Sequence, residues 1–236
     1  MKKLAIFVEG YTEFFFVHRL INEVAGYGRV RFELTQHTGG RLISLKSEGP
    51  PEDAAEMFIM LCNCCGDGKV KSAILERAPL LKNTGYQTVI GLRDLYPKQL
   101  HELEKLEAGV KTDFSYPGLD LKIFIAVAEI EAWFLNEHTH YQRVNPALTH
   151  KLIVDESGFD PVRESAETAV RHPAGKLNSI YALVGEQYDK KQSGMHRMLS
   201  LLDFDRLYWD VRPMSSSFDE FVRGIEGFID SPPTVS

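Results

Sequence analysis

Cysteine is scarce in this chain, and the few thiols it has lie almost side by side. They are Cys62, Cys64 and Cys65, in a chain of 236 residues. An odd number of adjacent thiols argues against the disulfide framework of small secreted domains. A zinc site would need a second pair of His or Cys ligands, and no nearby pair has suitable spacing. We therefore expect these thiols to have no disulfide or metal-binding role.

Long apolar runs and an excess of positive charge are also missing. No run approaches the roughly 18 residues of a membrane span, and the apolar run Leu4–Val8 leads directly into Glu9, unlike a signal peptide. The sequence therefore predicts a cytoplasmic protein that does not enter a membrane. The net charge of -6 argues against a module whose whole surface binds nucleic acid. A nuclease with a local basic patch stays possible, since Lys and Arg outnumber Asp and Glu between Arg171 and Arg212.

Motifs for nucleotide hydrolysis and for nucleophilic catalysis are absent as well. The chain has no Gly-x-Gly-x-x-Gly motif, no P-loop and no strained turn that would expose a nucleophilic serine. The histidines His18, His37 and His196 show no spacing of metal ligands or of a catalytic triad. If the protein's activity requires nucleotide hydrolysis, we expect a partner to supply it.

Short apolar runs alternate with helical patterns over residues 1–137. Strands are predicted at Leu4–Val8, Arg29–Thr35, Gln87–Leu92 and Leu121–Val127. Helices are predicted at Thr12–Ala25, with Thr12 as N-cap, at Glu52–Cys65, Val70–Leu81 and Lys98–Ala108, and from Glu129. This alternation predicts an α/β domain over residues 1–137, with a mostly parallel sheet flanked by helices. From residue 138 the strand pattern ends, which predicts an all-helical C-terminal extension over 138–236, packed on the sheet domain.

Acidic residues follow several of the predicted strands. Glu9 follows the first strand, Asp94 the third, and Glu129 the fourth, while Glu13 lies in the first turn of the first helix. Parallel strands end at one edge of a sheet, where open α/β sheets bind ligands, so we expect Glu9, Asp94 and Glu129 to converge. Their carboxylates would suit Mg²⁺ or Mn²⁺. The alternative is that Glu9 is solvated and that Glu13 only complements the helix dipole.

The acids after the fourth strand form a pair, Glu129 and Glu131. Two residues apart on a helix, they would point to different faces, so at most one would face a site, and Glu129 is favoured. Trp133 and Phe134 follow at once, and we expect both in the hydrophobic core.

Four motifs in order resemble those of a known family. Val8-Glu9-Gly10-x-Thr12-Glu13 resembles the glutamate motif of the Toprim fold, and Arg93-Asp94-Leu95-Tyr96 falls where Toprim proteins place an Asp-x-Asp motif. The run from Glu129 to Leu135 resembles the Glu-x-Glu-Ala-Trp block of an uncharacterised Toprim-like family. Tyr188-Asp189-Lys190, with Ser216-Ser217-Phe218-x-x-Phe221, resembles that family's ending. The family is similar to RloB-type and OLD-type nucleases and is often encoded beside ABC-class ATPases in bacterial defence loci.

The resemblance implies a Mg²⁺- or Mn²⁺-dependent nuclease of Toprim type that acts as effector of an anti-phage defence module. Glu9 and Asp94 would be metal ligands, and Glu13 and Glu129 would each be either a further ligand or a residue that positions the ligands. Glu9, Asp94 and Lys190 would be catalytic, with Glu9 also acting as general acid or base and Lys190 either contacting phosphate or stabilising developing charge. The partners implied are nucleic acid (DNA or RNA) and an ABC-type ATPase, with a homo-oligomer as a further option.

One residue departs from the family pattern. Tyr96 stands where the family generally has a second aspartate, and a tyrosine with a pKa of about 10 is a poor Mg²⁺ ligand at neutral pH. The alternative hypothesis is therefore a non-catalytic Toprim-like subunit that binds an ATPase partner or nucleic acid without cutting it.

Overall fold

A computed structural model describes residues 1–66 and 68–232 of the chain. They form two compact units, each built from separate stretches of sequence. Unit 1 comprises residues 1–93, 105–125 and the chain from residue 221 onward, and unit 2 comprises residues 94–104 and 126–220. No helix within the described ranges is long and apolar enough to cross a membrane.

Unit 1 is built around a six-stranded sheet. Its strands are β1 Lys2–Val8, β2 Val30–Thr38, β3 Arg41–Glu48, β4 Met57–Asn63, β5 Thr88–Asp94 and β6 Asp120–Ala126, of which the last residues of β5 and β6 are counted with unit 2. They lie in the order β3-β2-β4-β1-β5-β6. β1 pairs in parallel with β4 and β5, β2 pairs in parallel with β4, and β3 is antiparallel to its neighbour β2. The predicted α/β fold with a mostly parallel sheet is therefore confirmed.

The centre of the sheet is apolar on both faces. In β1 the whole run Leu4–Val8 is buried, as expected for a strand covered by helices on both sides. The helices that follow the strands of unit 1 are α1 Tyr11–Ala25, α2 Val70–Asn83 and α3 Leu103–Lys111, the last preceded by a 3₁₀ turn at Leu100–Glu102. Gly91 in β5 has no room for a side chain, because a Cβ there would lie 2.7 Å from Val70 of α2. The glycine thus permits close packing of this helix on the sheet.

Two local predictions in this region were wrong, and one strand was missed. The predicted helix Glu52–Cys65 is instead strand β4, because the run Met57–Asn63 is buried almost throughout and pairs with strands on both sides. β3 was not predicted, since its side chains are mostly exposed and the alternation that marks a strand is weak. The N-cap of α1 is Gly10 rather than Thr12, and it caps the helix without a side-chain hydrogen bond.

Only helices and loops follow β6 in the described part of the chain. The helices are α4 Glu131–Asn136, α5 His140–Val144, α6 His150–Ser157, α7 Ala166–Ala169, α8 Pro173–Ala182, α9 Gln192–Leu201, α10 Phe204–Arg206, a π-helical turn at Leu207–Val211 and α11 Ser216–Asp230. The helical character predicted for this region is therefore confirmed as far as residue 232. The division of the chain at residue 137 stays a prediction, and residues 233–236 of the predicted extension lie outside the described residues.

Candidate functional site

The candidate site in unit 2 begins where the chain leaves β5 and β6. Beyond these strands the backbone stays paired, because the N–H of Tyr96 donates to the carbonyl of Ala128 at 2.8 Å. Ala128 has a φ of 65°, in the left-handed region that residues other than glycine rarely adopt. The side chain of Asp94 is fixed at this turn, where its Oδ1 accepts the N–H of Ile130 at 3.3 Å. A strained residue beside a cluster of acids is a feature that functional sites often share.

Glu129 is a buried carboxylate held by three donors. It is 3 % exposed. Its Oε2 accepts from His172 Nδ1 at 2.8 Å and from the N–H of Ala174 at 2.9 Å, and its Oε1 lies 3.3 Å from Lys190 Nζ. Ala174 lies in the first turn of α8, whose dipole favours a negative charge at this end. The three contacts fix both carboxylate oxygens in place.

Glu131 is the first residue of α4 and is fully buried. Its Oε1 accepts from the hydroxyl of Tyr188 at 2.8 Å and lies 2.8 Å from Lys190 Nζ. Its Oε2 is buried and has no hydrogen-bond partner among the residues that the structure describes. A buried oxygen without a donor is costly, which makes it a candidate contact for a ligand.

Lys190 is the cation at the centre of this acid cluster, which we define as Asp94, Glu129 and Glu131. Burial alone would lower the pKa of Lys190. The negative charges of Glu131, Glu129 and Asp94 raise it by more than burial lowers it, so the pKa lies well above its ordinary value. The ammonium is therefore charged at neutral pH. Perturbed groups of this kind are common at functional sites, although structural ion pairs produce them as well.

The ring of Tyr96 packs on His172, the histidine that binds Glu129. Their rings are stacked, with centroids 4.9 Å apart and an angle of 14° between the planes. About half of the His172 side chain is exposed, while its Nδ1 is bound to Glu129. Tyr96 thus packs against a histidine at the place where the resemblance expects a second aspartate.

Glu9 and Glu13 lie in unit 1, directly after β1. Glu9 is 6 % exposed, and its Oε1 accepts the N–H of Gly68 at 2.8 Å and lies 3.6 Å from Arg93 Nε. Glu13 is also buried, and a Cβ on Gly10 would lie only 3.0 Å from its Oε2. The expectation that Glu9 would be solvated, which was the alternative to a metal site, is therefore wrong.

The structure brings together more residues than the sequence indicated. Glu129 and Glu131 both contact Lys190, and the charge of Asp94 also acts on this lysine. The expectation that only one of the two glutamates would face the site was wrong, because α4 begins at Glu131 and Glu129 lies before the helix. Nothing in the sequence indicated His172, because it lies 43 residues from Glu129 in the chain and contacts it only in the folded protein. Whether Glu9 joins these acids stays a prediction.

A metal site is not evident from the side chains alone. Within residues 1–66 and 68–232, no three His, Cys, Asp or Glu side chains are arranged so that they could hold one metal ion. The ligand set predicted from the sequence, Glu9, Glu13, Asp94 and Glu129, therefore stays a prediction. The expectation that Trp133 and Phe134 belong to the core is confirmed, because both are fully buried.

Comparisons with known proteins add no relative to this description. No protein-family model, no curated protein and no solved structure matches the chain. The resemblance to the Toprim-like family therefore stays a prediction that rests on the motifs.

Proposed function

We propose that the protein is a Mg²⁺- or Mn²⁺-dependent phosphodiesterase of Toprim type that cuts DNA or RNA. In this proposal it acts in the cytoplasm as the effector of an anti-phage module, together with an ABC-type ATPase. The observation that carries the proposal is the acid cluster, in which Glu129 and Glu131 contact the ammonium of Lys190 and the charge of Asp94 also acts on it. The motif resemblance and the locally basic segment from Arg171 to Arg212 support it.

The acid cluster is an expensive arrangement for a fold to maintain. Taking charged groups out of water costs several kcal/mol per ion, and mutual attraction does not always offset that cost. Glu131 Oε2 adds a further penalty because it has no donor in the described part of the chain. Arrangements that weaken stability in this way are typical of sites retained for binding or catalysis.

The donors of the acid cluster suit a hard divalent cation. Mg²⁺ prefers carboxylate oxygens, keeps several of its waters, and is commonly held by one or two carboxylates together with substrate phosphates. It therefore does not need the three-ligand group that is lacking among residues 1–66 and 68–232. In unit 2, Asp94 and Glu129 would hold it, and the sequence adds Glu9 and Glu13 of unit 1 as candidates. When bound, such an ion neutralises charge on the scissile phosphate and makes a bound water a better nucleophile.

The chain's own residues would orient the phosphate and stabilise its charge. The Lys190 ammonium can donate to a phosphate oxygen, because about half of its side chain is exposed. It can then counter the negative charge that develops during cleavage. His172 and the Ala174 N–H keep Glu129 in one orientation while Lys190 turns toward the substrate. Pre-organised groups of this kind need little rearrangement during the reaction.

The proposal is tested by removing charge while keeping shape. Asp94→Asn, Glu129→Gln and Glu9→Gln should each lower cleavage of labelled DNA or RNA by at least about a hundredfold in Mg²⁺, the scale of losing one catalytic group. Asp155→Asn and Glu104→Gln are matched controls, since both are exposed acids of unit 2. Their activity should equal that of the wild type. Full activity in Asp94→Asn and Glu129→Gln would refute the assignment.

A non-catalytic subunit is the second candidate, and one observation favours it. Lys190 already pairs with Glu129 and Glu131, which leaves their charge partly neutralised without a metal ion. In that case the wild-type protein would cleave neither DNA nor RNA with Mg²⁺ or Mn²⁺, even in the presence of its ATPase partner. It would still bind one of these partners, as a pull-down with the purified ATPase or a labelled oligonucleotide would show.

A further inference from the structure

Unit 2 contains a cavity next to the acid cluster. Its volume is ≈ 480 Å³, and it is lined by the loop after α6, the residues just before α8 and the first two turns of α8. This volume is within the range of pockets that bind small organic ligands. The buried side chains of Phe159 and Val170 give it an apolar wall, while Arg171, His172 and Lys176 supply polar groups.

Neither cation of this cavity forms an ion pair with an acid in residues 1–66 and 68–232. Arg171 is exposed and makes no hydrogen bond or ion pair with any residue in the ranges 1–66 and 68–232. Lys176 Nζ donates to the backbone carbonyl of Ser157 rather than to a carboxylate. Glu164 is the acid in the lining, and its Oε2 is engaged by the N–H of Asp160 at 2.6 Å. Two cations against one carboxylate leave a net positive charge, which suits a group with a single negative charge such as a phosphodiester.

His172 joins this cavity to the acid cluster. Its ring lines the cavity, while its Nδ1 is bound to Oε2 of Glu129 at 2.8 Å. Gly175, in the first turn of α8, leaves space for the ring, because a Cβ there would lie 3.1 Å from His172 Cδ2. A ligand in the cavity would therefore lie one side chain away from Glu129.

We propose that the cavity binds one nucleotide of a nucleic-acid strand, next to the position where the strand is cut. Arg171 and Lys176 contact its phosphodiester, and its sugar or base lies against the wall formed by Phe159 and Val170. Phosphate contacts by Arg and Lys supply most of the affinity for nucleic acid and fix the register of the strand. The proposal rests on the proposed nuclease function for the cutting step, whereas the binding step is tested without it.

The experiment measures binding in EDTA, where no metal-dependent cleavage takes place. The anisotropy of a fluorescent single-stranded oligonucleotide is titrated with the wild-type protein and with Arg171→Ala/Lys176→Ala at several salt concentrations. The double variant should bind at least about tenfold more weakly, and the slope of affinity against salt should fall by about 1. Arg171→Ala alone should show a smaller loss, and it leaves the Lys176 contact with Ser157 intact.

The matched control is Lys151→Ala/Arg163→Ala, which removes the same charges from unit 2 outside the cavity. These side chains are 83 % and 85 % exposed. The control should bind like the wild type. Equal weakening in control and cavity variants, or wild-type binding by the cavity variant, would overturn the proposal, because the attraction would then be general or located elsewhere.

A competition measurement and a cleavage measurement identify the ligand and distinguish the cavity proposal from the proposed nuclease function. Inorganic phosphate and a mononucleotide are added as competitors, and the mononucleotide should displace the oligonucleotide at lower concentration. If phosphate alone competes equally well, the cavity is an anion site and not a nucleotide site, which overturns the proposal. If the oligonucleotide binds through Arg171 and Lys176 but is never cut in Mg²⁺ or Mn²⁺, even with the ATPase partner present, the cavity assignment stands and the nuclease function fails.

Discussion

Replacing Lys190 by methionine tests whether the acid cluster depends on its cation. Lys190→Met keeps a long side chain of similar volume but removes the ammonium that lies 2.8 Å from Glu131 and 3.3 Å from Glu129. Both glutamates would then be buried acids that have lost their ion pair with the lysine. We expect the folded protein to lose stability at neutral pH, where the lysine is charged.

The size of the loss follows from burial and exposure. Removing one partner of a buried ion pair costs about 3–5 kcal/mol, because the remaining charge is left without compensation. The Lys190 side chain is 48 % exposed, so water already screens part of the attraction and reduces the expected loss to about 2–3 kcal/mol. For a chain of this size that corresponds to a decrease in melting temperature of about 4–12 °C.

The assay is thermal unfolding followed by circular dichroism at pH 7, with Lys191→Met as the control. Lys191 is an exposed neighbour, and its replacement should change the free energy of unfolding by less than about 0.5 kcal/mol. The double variant Lys190→Met/Glu131→Gln should be more stable than Lys190→Met, because it also removes a buried charge. A melting temperature of Lys190→Met within about 1 °C of the wild type would refute the argument.

Two other predictions concern acid stability and truncation. Burial lowers the pKa of His140 to about 3. Between about pH 6.5 and 3, this histidine therefore binds a proton in the unfolded chain but not in the folded protein. The free energy of unfolding should then fall by about 1.4 kcal/mol for each pH unit in this range. His140→Gln should lose less stability than the wild type between pH 7 and 5 in urea unfolding, and equal losses would contradict the assignment. A fragment of residues 1–137 lacks Phe221 and Phe228, which are buried in unit 1 and contribute about 1.5–3 kcal/mol each. The fragment should therefore show no cooperative unfolding transition, and a stable, protease-resistant fragment would be the contrary result.

The parts of the fold that could be predicted from the sequence are those whose local pattern matches their burial. The apolar run of β1 predicted a central strand, because a strand covered on both faces has no polar side. The same logic failed for β4, where Met57–Asn63 follows two prolines and contains residues that also favour helices. Its strand character comes from pairing with β1 and β2, and no short stretch of sequence contains that information.

From the sequence, the candidate site could be predicted only for residues at the ends of strands. Asp94 ends β5 and Glu129 comes shortly after β6, and that position was enough to select them. The role of Glu131 depended on where α4 begins, and boundaries of elements are difficult to predict from sequence. His172 and the cavity beside it depended on contacts between distant segments, which only the folded chain brings together.

The division of the chain into two units has a consequence for how such a protein could arise. Most of unit 2 is one continuous stretch, residues 126–220, between two parts of unit 1. The ends of unit 1 that flank this stretch are close, since the rings of Phe124 and Phe221 have their centroids 5.7 Å apart. That is the geometry of a domain insertion, in which a host fold accepts a foreign segment without moving its own core. A gene could gain, lose or exchange this insertion while the sheet stays intact, so the cavity and most of the acid cluster could evolve separately from the sheet.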